Sequence, residues 1–497
     1  MAWRRASPGC APSAAEPGAE FLIRFLARYN HISLMGKGLF GTDGIRGVPG
    51  RFPLDDATVV AAGRALGEFV SKENAAGEPR VLIGMDTRES SPHLAARLAA
   101  GLASAGARPV SAGVIPTPAV SALVLTGGFG AGAVISASHN PFTDNGIKLF
   151  ARNGMKFADQ IEDQLEVEIL SAARAGASGA DALTAAGDGP ALSADPRFAA
   201  EYLALLRARA DGEAKLGGLP IVLDCANGAA SRLAPELFAS LGARVTALNT
   251  SPDGRNINAG CGSLHPEAMR RAVVEQGAQL GVAFDGDADR AVFSTAAGRL
   301  VDGDGVLYLM ARASKAAGRL RGGAVVGTSM TNLGLERALA REGIALIRVS
   351  VGDRYVLEEM LRRGSNLGGE PSGHVIFLDD GPAGDGLATA LKLAAALVRD
   401  GSLEELMRGL VLFPQRITNV PVAQKPPLDS LPDVARLLEQ ARSSLGEPNR
   451  IVLRYSGTEP LARIMIEAER EAEVARWSAA IADAVRAATG GDARTHG

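Results

Sequence analysis

At 497 residues the chain is too long for one core, and at ~150 residues per domain it divides into about three. Its charge is nearly balanced, formally −3 at pH 7, so bulk charge draws it neither to nucleic acid nor to an anionic membrane. No run of ~18 apolar residues is present to span a bilayer, and scarce aromatics (4%) with 60 glycines suit an α/β protein full of tight turns.

Three scattered cysteines, Cys10, Cys225 and Cys261, contain no CxxC, which points to a reduced, cytoplasmic setting without a disulfide framework. Residues 1–34 differ from the rest. They are Pro-, Ala- and Gly-rich without a secretory core, and are expected to be a disordered extension or an upstream misread start. The Gly-rich segment 36–51 then presents Thr42, Asp43 and Arg46 on an open backbone. Helical spacing over 54–70, a strand at 80–86, a helix at 91–105 opened by Ser-Pro, a strand at 108–114 and a helix after Pro116 give an alternating α/β unit.

Residues 131–150, AGAVISASHNPFTDNGIKLF, form the first informative stretch. A small apolar strand leads into a loop carrying Ser138, His139 and Asn140; Pro141 ends the ladder, and Asp144-Asn145-Gly146 turns the chain into a second strand with Lys148. The preceding GGFGAG (127–132) is no dinucleotide loop, because it precedes a strand instead of following one. P-loop and GxSxG patterns are also missing from the sequence.

After a polar region near 171–195 the rhythm restarts with a strand at 220–224, a helix at 229–241, a strand at 243–248 and another at 279–284. That last strand runs into DGDADR (285–290). Fully extended, its carboxylates would lie about 6–7 Å apart, but Gly286 lets the loop curl so that Asp285, Asp287 and Asp289 converge on a hard cation. Arg290 and Ala296 occupy positions where an EF-hand needs Gly and Glu, so Mg2+ is the better choice.

A third unit follows, with strands at 323–326 and 345–349, a helix at 333–341, then Gly352-Asp353-Arg354-Tyr355 opening another helix. LGGEPSGHVIFL (367–378) offers Glu370, Ser372 and His374, all able to accept hydrogen bonds from sugar hydroxyls, and 386–400 closes the unit as a helix. Beyond 413–414 the elements shorten. Two strands, 450–455 and 462–468, flank Ser456-Gly457-Thr458-Glu459-Pro460, with Arg454 and Arg463 beside a backbone suited to cradle an anion.

Together LFGTDGIRG (39–47), SASHNPFTDNGIK (136–148), DGDADR (285–290), VGDRYV (351–356), GEPSGH (369–374) and RYSGTEPLAR (454–463) resemble the α-D-phosphohexomutase family, in that family's order and over residues 36 to about 485. The resemblance implies three related α/β domains and a smaller C-terminal α+β domain around a central cleft, expected at 35–190, 191–290, 291–405 and 406–490, with a tail at 491–497. It implies that Ser138 carries a phosphoryl group and, with Asp285, Asp287 and Asp289, binds one Mg2+. His139, Arg46, Lys148 and Arg290 would lie near the reacting phosphoryl. Lys148, His374 and Arg46 are candidates for the general base by residue type. Glu370, Ser372 and His374 would read the sugar, and Gly352, Asp353 and Arg354 would line its site. Arg454, Ser456, Gly457, Thr458 and Arg463 would hold the distal phosphate. The implied substrate is a hexosamine 6-phosphate passing through a hexosamine 1,6-bisphosphate, with glucose and mannose phosphates as rival sugars. A metal-dependent phosphatase and a non-catalytic sugar-phosphate sensor are the other classes considered, and a homodimer is left open. One departure is Pro371, beside the sugar contacts.

Overall fold

The computed structural model describes residues 38–490 apart from 42, 74–77, 177–191, 210–214 and 457–459. The N-terminal extension, Thr42, Gly457, Thr458 and the C-terminal tail therefore lie outside the described residues.

The first sheet contains β1 (Phe40–Gly41), β2 (Gly44–Gly47), β3 (Arg80–Met85), β4 (Arg108–Val114), β5 (Ala131–Ile135) and β6 (Asn145–Ala151), in the order β1-β2-β6-β5-β3-β4. The second contains β7 (Pro220–Asp224), β8 (Arg244–Leu248), β9 (Leu280–Phe284), β10 (Ala291–Thr295) and β11 (Leu300–Val301), in the order β11-β10-β9-β7-β8. The third contains β12 (Ala324–Thr328), β13 (Ala345–Val349), β14 (Leu367–Gly369) and β15 (Val375–Phe377), in the order β13-β12-β14-β15.

The three sheets share one plan. A central strand (β3, β7 or β12) pairs parallel with two neighbours, and one neighbour then pairs antiparallel with the strand that follows it. That antiparallel turn is the same place in each repeat: β5–β6 carries Ser138, β9–β10 carries Asp285 to Arg290, and β14–β15 carries Glu370 to His374. Each strand is almost wholly buried, so its apolar run fixes where the polar loop emerges.

The expected boundary at 290/291 cuts this second sheet. β10 pairs with β9 from Ala291 onward and β11 follows it, so the second unit extends to Val301. An antiparallel strand can return after a short loop, so the acidic loop at 285–290 lies inside this sheet and not at its end. Helices Asp159–Gly176, Arg197–Arg209, Glu267–Gln276, Gly303–Ala316, Pro432–Leu445 and Glu471–Thr489 add to the elements expected from sequence. The first of them extends into the region read as polar and buries Ile161, Leu165 and Ile169 on one face. Its Glu166 accepts the N–H groups of Gly38, Leu39 and Phe40, tying down the Gly-rich segment.

The last sheet, β16 (Gln415–Pro421), β17 (Arg450–Tyr455) and β18 (Leu461–Glu467), is antiparallel in the order β16-β18-β17 and is backed by the two C-terminal helices.

Candidate active site

Ser138 leaves β5 in a left-handed conformation (φ 53°) and is fully buried. Its N–H donates to Ser136 Oγ at 2.9 Å, and Ser136 Oγ in turn donates to Asp86 Oδ2 at 2.6 Å. Ser138 Oγ then reaches across to the second domain and donates to Asp285 Oδ2 at 2.6 Å. Two loops separated widely in sequence thus meet at one hydroxyl.

The aspartates converge as the curled loop requires: ligand oxygens of Asp285, Asp287 and Asp289 lie within 4.8 Å of one another, and all three residues are buried. Asp285 has both oxygens hydrogen-bonded, and Asp287 and Asp289 have one each. Arg290 N–H donates to Asp285 Oδ1 (3.2 Å), while Thr117 Oγ1 (2.6 Å) and Lys148 Nζ (2.8 Å) donate to Asp287 Oδ2. Lys148 Nζ also reaches Asp289 Oδ2 at 3.3 Å. Asp287 Oδ1 and Asp289 Oδ1 are buried and accept no hydrogen bond. Burial, reinforced by the charges of Asp289 and Asp287, pushes the Asp285 carboxyl well above the usual range. Oxygen-only donors, two unsatisfied atoms and mutual repulsion fit a bound divalent cation.

Lys148 is buried, which by itself favours loss of the proton, but Asp287, Asp43 and Asp289 outweigh burial and raise its pKa well above normal. Its ammonium lies within 3.3 Å of three carboxylates, which favour the charged form. Asp43, noticed in sequence but given no role, accepts from Lys148 at 3.0 Å and Lys156 at 2.5 Å and is paired with Arg46. Arg46 Nη1 also donates to Ala137 O at 3.2 Å, so this guanidinium braces the serine loop. His139 Nδ1 faces Ser138 Oγ (3.3 Å) and Arg290 Nη1 (3.2 Å). Burial and the cations Arg290 and Arg46 lower its pKa to about 4, leaving the ring neutral near pH 7.

A cleft of about 510 Å3 opens above these groups and includes Asp289, Arg290, Gly352, Asp353, Glu370 and His374 among its walls. Glu370 Oε1 accepts the Gly352 N–H at 3.1 Å, and Gly384 N–H donates to His374 Nε2 at 3.2 Å. Gly373, at φ +93°, sits where a Cβ would lie 2.3 Å from Ala291 O, so the loop packs directly on the second domain. Ser372 is exposed on the same loop. Asp353 Oδ2 binds Lys156 Nζ at 2.6 Å, linking the first and third domains.

Arg354 is placed differently from its expected role. Its guanidinium turns away to Asp159, Glu162 (2.9 Å) and the Phe157 carbonyl (2.8 Å), forming a bridge between domains. A cation at a loop–helix start looks the same in sequence whether it meets a ligand or an acidic helix. In the fourth domain Arg454 and Arg463 are directly opposite on β17 and β18. Lys425 Nζ donates to Ser456 O at 2.8 Å beside them.

Fold and cleft define the class: a multidomain α/β enzyme in which one buried serine is shared between a basic strand and an acidic loop competent for a metal. Family models for phosphoglucomutase/phosphomannomutase α/β/α domains I, II and III match residues 37–175, 200–298 and 302–412, and the C-terminal domain model matches 417–484. The phosphoglucosamine mutase of Koribacter versatilis (strain Ellin345) is 50% identical over 458 residues, covering 91% of this chain and 97% of that protein. That of Solibacter usitatus (strain Ellin6076) is 48% identical over 453 residues, covering 91% and 99%. A phosphoglucomutase/phosphomannomutase family protein from Burkholderia thailandensis, solved by crystallography, superposes with TM-score 0.70 at 27% identity, covering 91% and 98%. The chain belongs to the phosphoglucomutase/phosphomannomutase family and is an isomerase of the phosphohexomutase type.

Proposed function

We propose that the chain interconverts glucosamine 6-phosphate and glucosamine 1-phosphate, with Ser138 as phosphoryl carrier and glucosamine 1,6-bisphosphate as intermediate. The observation that carries this reading is the 2.6 Å contact between Ser138 Oγ and a carboxylate cluster that retains two unsatisfied oxygens. The amino sugar is favoured by the names of the relatives at 50% and 48% identity.

In the first half-reaction the Ser138 Oγ–P bond breaks as sugar O1 bonds to phosphorus. In the second, the O6–P bond breaks and the phosphoryl group returns to Ser138 Oγ. The proton lost from O1 is matched by one gained at O6, so the enzyme finishes as it began. Lys148 holds a positive charge beside the reacting group through both halves, and Arg290 adds a second. Asp285, Asp287 and Asp289, with a phosphoryl oxygen on Ser138, would hold Mg2+, which when bound supplies charge stabilisation to the phosphoryl oxygens.

Glu370, Ser372 and His374 are assigned to the sugar hydroxyls, and Arg454, Ser456, Gly457, Thr458 and Arg463 to the phosphate that is not reacting. Backbone N–H groups and guanidinium forks accept a phosphate regardless of which sugar carbon bears it, as turnover of the bisphosphate demands. A cytoplasmic setting is supported by the odd cysteine count and by Cys225 and Cys261, both buried and unpaired.

The test compares kcat/KM for glucosamine, glucose and mannose 6-phosphates, with Ser138→Ala as control. A tenfold preference for either neutral sugar, about 1.4 kcal/mol in the transition state, would overturn the assignment. Free phosphate released without isomerised sugar would indicate a phosphatase, and Ser138→Ala should reduce turnover about 10³-fold or more.

A further inference from the structure

Outside the cleft, the backbone of the serine loop is held by two side chains that the chemistry above does not use. Ser138 O accepts from Arg88 Nη2 at 3.0 Å and from Asn258 Nδ2 at 2.9 Å. The same pair of donors takes Asn140 O, at 2.9 Å and 3.1 Å. Two loop carbonyls, on either side of His139, therefore each accept one hydrogen bond from each domain.

Arg88 lies just beyond β3 and its side chain has no solvent exposure. Asp86 fixes it from behind, accepting Nε at 2.9 Å, while the far end of the fork reaches Pro141 O and, at 3.0 Å, Asp144 O. One guanidinium thus spans the loop from Ser138 to Asp144. Asn258 approaches from the second domain and is itself left-handed (φ 58°). The metal loop lies against the same point: a Cβ on Gly286 would fall 2.5 Å from Ser138 O and 2.9 Å from Asn258 Nδ2. Only glycine lets the aspartate loop come this close while the clamp is shut.

We propose that Arg88 and Asn258 are positioning residues that fix the Ser138 backbone from two domains, so that Oγ occupies one place for both phosphoryl transfers. A mutase has more need of this than a one-way enzyme, because the same oxygen must align first with one end of the sugar and then with the other. Misplacement by about 1 Å costs on the order of 10²-fold in rate. Neither residue is among those lining the cleft, so their effect belongs in kcat and not in substrate affinity.

The inference rests on the phosphoryl-carrier reading, and the full-length enzyme tests it. Arg88→Ala would leave Asp86 buried without its cation, so a folding defect there would be uninformative. Asn258→Gly accepts the left-handed backbone and removes the side chain with its amide donor. It should lower kcat about tenfold with KM within about twofold of wild type, while the melting temperature falls by only a few degrees. Asn258→Asp sets a carboxylate against two carbonyl oxygens and should cost more, about 10²-fold. A kcat for Asn258→Gly within twofold of wild type overturns the clamp, as does a KM rise that accounts for the loss in kcat/KM. Wild-type enzyme without mutase turnover overturns the carrier reading and the clamp with it, whereas an active wild type judges the clamp alone.

Discussion

The first three domains and the fourth are joined by different physics. Leu82 and Phe150 of the first domain, Leu223 and Phe284 of the second, and Leu307 and Leu391 of the third belong to one continuous apolar core. The loops bearing Ser138, the aspartates and Glu370 are therefore carried by domains that bury surface against one another. The fourth domain packs Val434, Ile464, Trp477 and Ile481 into a core of its own. Its junction with the third is polar: Glu467 accepts the Leu333 N–H at 2.7 Å and pairs with Arg450 Nη2 at 2.9 Å, and Arg450 Nη2 also donates to Thr331 O at 2.9 Å. Asn332 exchanges two further bonds of 2.9 Å with the Phe413 backbone. Shared burial resists any relative motion, whereas a few directional bonds define one orientation and little more. The Ser138 hydroxyl is thus placed by the shared core, and Arg454 and Arg463 on β17 and β18 by a separately packed one.

That contrast breaks most readily at Arg450. Glu467 is fully buried, so Arg450→Ala leaves a buried carboxylate without its cation and should destabilise the junction by about 3 kcal/mol. Trp477 lies in the fourth domain's core and reports on it by fluorescence, while circular dichroism reports on the whole chain. In urea the Trp477 transition should move to lower concentration ahead of the bulk transition. If both move together, the four domains form one cooperative unit and the distinction fails.

Within the first three domains, Thr117→Val tests how far one domain tunes the other's aspartate loop. Thr117 Oγ1 supports Asp287 Oδ2 at 2.6 Å, and the Thr117 N–H also donates to Asp287 O at 3.0 Å. Losing the hydroxyl of a group that orients a ligand should weaken metal affinity about 10- to 100-fold, read from the Mg2+ dependence of turnover. Saturating metal should restore most of kcat. An unchanged Mg2+ dependence would mean that Lys148 alone suffices to orient Asp287.

These contacts explain what was legible in the sequence. Ser138 and the aspartate triad stand out in sequence because each is a polar cluster ending an apolar strand, and Glu370 because its Gly-flanked loop enters one; all three are local patterns. Thr117 meets Asp287 across 170 positions and Asn258 meets Ser138 across 120, so no spacing rule could pair them. Arg88 carried no local mark, since a buried cation matched to Asp86 and four carbonyls reads in sequence as an ordinary strand end. Arg354 is the reverse case: its position beside Gly352 and Asp353 is a local mark, whereas its partners Asp159 and Glu162 lie on a helix nearly 200 positions away, which spacing does not reveal.

The smallest effect is expected in the fourth domain, at Arg454. It is directly opposite Arg463 in the β17–β18 register, one residue from Tyr455 and two from Ser456. Arg454→Gln keeps a hydrogen-bonding end on a shorter side chain and removes the charge. Arg454 is exposed, so stability without substrate should stay within about 0.5 kcal/mol of wild type, whereas KM should increase roughly tenfold, the ~1.5 kcal/mol of one charged hydrogen bond. A rise in KM at constant stability is what distinguishes a ligand-binding arginine from a structural one. A variant that melts earlier at unchanged KM would show that Arg454 serves the sheet and would overturn its assignment to the substrate.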